Sequence, residues 1–126
     1  MSILKDKRAM ILEDEPLIAL DLGDELKDAG VTVIGTFANV PDAMPTAAHE
    51  ALDFAVLDVN LGSHLSYPIA TVLQQRAIPF VFASGYGSAE IQPVWASVPV
   101  VYKPFETNAL LSAIHMVLRD HVAREA

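Results

Sequence analysis

The sequence has no cysteine. That removes disulfides, thiolate metal ligands and thiol nucleophiles together, and it accords with a reducing compartment. Basic residues are scarce: eight Lys and Arg stand against sixteen Asp and Glu, a formal charge of −8. That is the wrong sign for docking on phosphate backbones or anionic lipid, so neither nucleic acid nor a membrane is an expected partner. No run approaches the roughly 18 apolar residues of a membrane span. The polar segment 1–8 lacks the apolar stretch of a signal peptide, and a cytoplasmic protein is expected. Repeats, linkers and low-complexity tracts are also lacking. The 126 residues suit one domain, 1–126, with no output domain. With 52% apolar and 19% charged residues, the chain can bury a sizeable core.

What is present alternates between two periods. Short apolar runs rich in β-branched residues occupy 8–12, 32 to 36 or 37, 54–59, 80–83 and 100–102, with helix-like segments between them. This is the pattern of an α/β, doubly wound parallel sheet of five strands with helices on both faces. The first helix opens at Pro16, carries Ile18, Leu22, Leu26 and Ala29 at helical spacing, and ends at Gly30, which suits a C-terminal cap. Asn39 can cap a second helix, which Pro45 is expected to kink or shorten. A third helix is expected over 67–76. Residues 84–99 hold two glycines and two prolines, so a fourth helix there should be short or irregular. The last helix runs from 106 or 107 to about 121, with Leu110, Ile114, Val117 and Leu118 on one face. Trp95 reads as a packing residue, and the four histidines show no metal-ligand spacing.

Ligands of open parallel sheets bind beyond the carboxyl ends of the strands. There the first strand delivers Glu13 and Asp14, the third Asp58, the fourth Ser84 and the fifth Lys103. An acid after five apolar residues must reach solvent or be compensated, because a buried unpaired carboxylate is costly. Three carboxylates together repel one another unless a cation lies among them. An all-oxygen set suits a hard cation, Mg²⁺ before others. Aspartate can also attack phosphorus to form an acyl phosphate, and the transferred group then needs charge and donors around its oxygens. Lys103 offers the charge and Ser84 a hydroxyl.

The segments LEDEP (12–16), LDVNLG (57–62), FASGYG (82–87) and YKPFE (102–106) resemble, in order and over essentially the whole chain, the receiver domain of two-component response regulators. The resemblance implies a flavodoxin-like sheet of order 2-1-3-4-5 with five helices. It implies that Asp58 accepts a phosphoryl group from a histidine kinase or phosphotransfer protein. Asp14 would bind Mg²⁺ directly, with Glu13 acting through water and the backbone carbonyl of Asn60 completing the protein ligands. Ser84 would turn its hydroxyl toward the phosphoryl group and Lys103 would pair with it. Pro104 stands where the family commonly has a cis peptide bond. Such a domain catalyses only its own aspartyl phosphorylation and dephosphorylation, and signals to a downstream protein target by contact. The family's first helix commonly meets the kinase, and here 13–28 supplies seven of the sixteen acids.

Two departures stand out. The family's strand-five aromatic, three positions before the lysine, is replaced by Val100. FASGYG resembles a Phe-Ala-Thr-Gly subgroup of receivers, many of them single-domain regulators of alphaproteobacterial type, with Ser84 in place of Thr and Tyr86 directly after Gly85. Tyr86 and the segment 85–97 are therefore expected to form the switch. An unphosphorylated pseudo-receiver that only binds partners is the alternative. A haloacid-dehalogenase-like phosphatase uses similar groups, but in that class the nucleophile precedes the acidic pair, whereas here the pair comes first.

Overall fold

The computed structural model describes residues 3–62, 64–85, 91–103 and 106–125, with side chains to 122. The chain runs β1 (Arg8–Leu12), α1 (Pro16–Asp28), β2 (Thr32–Phe37), α2 (Val40–His49), β3 (Phe54–Asp58), α3 (Tyr67–Gln75), β4 (Phe80–Ser84), β5 (Val100–Tyr102) and α4 (Thr107–Glu125). The strands are parallel and lie in the order β2-β1-β3-β4-β5, as expected. Burial explains the architecture. Ala9 and Ile11 of β1 and Phe54 and Val56 of β3 pack with Leu22, Leu26, Leu110 and Ile114 of α1 and α4. The alternate residues Met10, Leu12, Ala55 and Leu57 pack with Ala43 and Ala47 of α2 and Ile69 and Leu73 of α3. Period-two side chains thus serve two cores, one on each face of the sheet.

Three features differ from expectation. α2, which Pro45 was expected to kink or shorten, continues through that residue to His49. Pro41 and Pro45 are both exposed, so the ring and the carbonyl deprived of its amide partner face solvent, where the loss is mild. Four α-helices are present among the described residues where five were expected. The described part of the β4–β5 connection holds only a 3-10 turn, Pro93–Trp95, because Pro93 and Pro99 leave few donors for an α-helical ladder. The last helix also runs beyond 121, to Glu125.

Helix ends are fixed by identifiable groups. Asn39 Oδ1 accepts from Asp42 N at 2.9 Å, capping α2 as expected. At the other end of α2 the Arg76 guanidinium donates to the carbonyls of Ala47 and Glu50 at 2.7 and 2.9 Å, which also suits the helix dipole. α1 closes on Gly30, whose φ is 95°. Gly30 N donates to Lys27 O and Val31 N to Leu26 O, at 3.0 and 2.9 Å. A β-carbon at Gly30 would sit 3.0 Å from the Lys5 α-carbon. Gly30→Ala should therefore lower stability by about 1–2 kcal/mol, read as a fall in the urea midpoint at unchanged m-value.

Candidate functional site

β1 and β3 are neighbours in the sheet, yet the chain leaves β1 toward β2 and returns to β3 on the other side, so a crevice opens between their carboxyl ends. Leu12 pairs with Leu57, which sets the next residues, Glu13 and Asp58, side by side. On the other flank Asp58 is level with Ala83 and Ser84 with Tyr102. Glu13, Asp58 and Lys103 continue the alternation of Ile11, Val56 and Val101, so all three fall on the α1–α4 side of the sheet. The fold therefore brings Glu13, Asp14, Asp58, Ser84 and Lys103 to one edge.

Burial makes this edge electrostatically demanding. Glu13, Asp58 and Ser84 are 2%, 4% and 1% exposed, while Asp14 faces solvent. Lys103 Nζ reaches both buried carboxylates, Asp58 Oδ2 at 2.9 Å and Glu13 Oε1 at 2.5 Å. Backbone donors help: Glu15 N reaches Glu13 Oε2 at 3.0 Å, and Asn60 N lies 3.4 Å from Asp58 Oδ1. Lys103 N in turn donates to Ser84 O at 2.7 Å, tying the lysine to the end of β4. Burial pushes the Asp58 carboxyl from 3.8 to about 7, opposed by the Lys103 hydrogen bond and reinforced by the negative charge of Glu13. Lys103 is shifted upward: burial opposes its charge, but its bonds to Glu13 and Asp58 outweigh that.

One ammonium faces three carboxylates. One oxygen from each of Glu13, Asp14 and Asp58 lies within 4.8 Å of the others, the one such grouping of potential metal ligands among the described residues. A hard divalent cation with oxygen ligands fits this donor set and would offset its excess charge.

The β3–α3 loop closes against the same carboxylates. Asn60 Oδ1 accepts from Gly62 N at 2.9 Å, and Leu61 N donates to His64 O at 2.8 Å. Gly62 has a φ of 85°, and a β-carbon there would lie 3.8 Å from Asp14 Oδ2. The Asn60 side chain thus shapes the loop, as its Asn-x-Gly spacing suits. Tyr86 and Pro104 lie outside the described residues. Val100 is partly buried against the α2–α3 core, and Trp95 of the 3-10 turn is buried in the same cluster.

The raised Asp58 pKa has a consequence for stability. Between about pH 4 and pH 7 the folded state holds a proton that the unfolded chain has released, so the stability present below pH 4 is lost as pH rises through this window. In chelator, Asp58→Asn should melt above the wild type at about pH 8, and the gap should close toward about pH 4. Melting curves across that range check it.

No family model matches the chain. The transcriptional regulatory protein PdtaR of Mycobacterium tuberculosis is 23% identical over 116 residues, covering 89% of this chain and 57% of PdtaR. The chain thus spans little more than half the length of that relative. The solution structure of SdrG from Sphingomonas melonis Fr1 is similar with a TM-score of 0.81 and 38% identity, covering 94% of this chain and 99% of SdrG. The receiver (REC) domain of the PhyR response regulator from Erythrobacter litoralis is similar with a TM-score of 0.78 and 25% identity, over 90% of this chain and 91% of that one.

Proposed function

Because this chain belongs to the receiver domains of two-component response regulators, we propose that it accepts a phosphoryl group on Asp58 from a phosphohistidine of a kinase or phosphotransfer protein. The observation that carries this reading is a nearly buried Asp58 carboxylate held by Lys103, with the Glu13 and Asp14 carboxylates gathered beside it. A carboxylate oxygen of Asp58 attacks phosphorus, the P–N bond to a phosphoimidazole protonated on its other ring nitrogen breaks, and the electron pair of that bond stays on the nitrogen, so that neutral imidazole leaves. The product is an acyl phosphate. Lys103 is already at the carboxylate and exchanges part of its pairing for a phosphoryl oxygen, while the Ser84 hydroxyl turns toward another.

Mg²⁺, held by Asp14, Asp58 and the Asn60 carbonyl with Glu13 acting through water, would neutralise the phosphoryl oxygens. The relative SdrG has been described in a BeF₃-activated conformation. Beryllofluoride has the tetrahedral shape and charge of a phosphoryl group, which supports the same chemistry at Asp58.

The partner that delivers the phosphoryl group meets α1. Leu17 and Leu20 are 71% and 60% exposed there, and Asp21, Asp24 and Asp28 continue the same face. The output is a protein contact, made by a domain that modifies only itself.

Mass spectrometry after incubation with acetyl phosphate and Mg²⁺ tests the reading. The wild type should gain one phosphoryl group, and Asp58→Asn should gain none. Asp14→Ala should lose both Mg²⁺ binding by calorimetry and the adduct. An unmodified wild type would instead support the pseudo-receiver, and undiminished Mg²⁺ affinity in Asp14→Ala would overturn the ligand assignment.

A further inference from the structure

Four rings form one cluster on the α2–α3 face. Trp95 stacks on Tyr67 at 5.8 Å and 13°, and meets Phe80 and Phe82 edge-on at 6.0 and 6.2 Å. Tyr67 also meets Phe82 edge-on at 6.0 Å. Val100 packs, partly buried, against the same cluster. Trp95 is 5% exposed, while its neighbour Val94 is 72% exposed.

The 3-10 turn is otherwise tied mainly to itself. Trp95 N, Ala96 N and Val98 N donate to Gln92, Pro93 and Trp95 carbonyls. Beyond these local bonds, Gln92 N donates to Tyr67 Oη at 3.0 Å. Tyr67 therefore holds the turn twice, by its ring and by its hydroxyl. The same residue opens α3, and the preceding Ser66 N donates to Val59 O, one residue after Asp58, at 2.9 Å. Phe82, two residues before Ser84, touches both Tyr67 and Trp95.

We infer that Tyr67 and Trp95 form the relay by which the state of Asp58 reaches the surface at Gln92–Val94. The inference rests on the phosphoacceptor reading and extends it to an output that needs no strand-five aromatic. A change around Asp58 and Ser84 shifts the start of α3 and the end of β4. Both elements hold the Trp95 ring, and a densely packed ring repacks rather than deforms. From 5% exposure a displaced indole can move only toward solvent.

Trp95 is the sole tryptophan of the chain, so its emission reports the turn directly. On adding Mg²⁺ and beryllofluoride, the emission maximum of the wild type should move to longer wavelength, and Asp58→Asn should show no shift. Adduct formation is followed separately by fluorine NMR. Tyr67→Phe keeps the stack but deletes the bond to Gln92, and should take up beryllofluoride with a reduced shift. Tyr67→Leu should take it up with the shift lost. Wild-type adduct with unchanged emission overturns the relay alone, as does a full shift in both Tyr67 variants. No adduct in the wild type overturns the phosphoacceptor reading and the relay with it.

Discussion

Two carboxylates at the end of a parallel sheet, 2% and 4% exposed, can be tolerated only because one ammonium sits between them. Removing the ammonium costs about 3–5 kcal/mol, because the carboxylate charge left behind has no water to turn to. Lys103 therefore sets the position of β5 against β1 and β3 as much as it serves any ligand. Its neutralisation is incomplete by design of the set: three carboxylates outnumber it, Asp58 is left with a pKa near 7, and the site retains an appetite for further positive charge. The attraction of a divalent cation and the readiness of the lysine to share its bonds both follow from this imbalance.

Much of the fold could be read from local pattern. The five apolar runs became the five strands within a residue or so, and Gly30 and Asn39 ended and began helices where their chemistry suits. These are short-range signals, decided by backbone preference within a few residues. Asp58 was legible for a related reason: a single acid at the end of an apolar strand has few stable settings. How far Pro45 disturbs α2 was not legible, because its penalty depends on the setting of the orphaned carbonyl, which only the tertiary structure determines.

The contacts that escaped the sequence reading join residues distant in the chain. Tyr67 and Trp95 carry no shared spacing, and their stack exists because α3 and the 3-10 turn happen to flank the same strand. The double engagement of Lys103 likewise depends on register across three strands, with Leu12 opposite Leu57 and Ser84 opposite Tyr102.

Lys103 reaches Asp58 across 45 residues of chain, and β5 is the last strand of the sheet to be synthesised. A nascent chain that has completed β1 to β4 already possesses the clustered acids but lacks the cation that makes their burial tolerable. The carboxylate–lysine cluster is therefore complete only once β5 has closed on β4. Copies of the chain without β5 keep the clustered acids but lack the ammonium that offsets them.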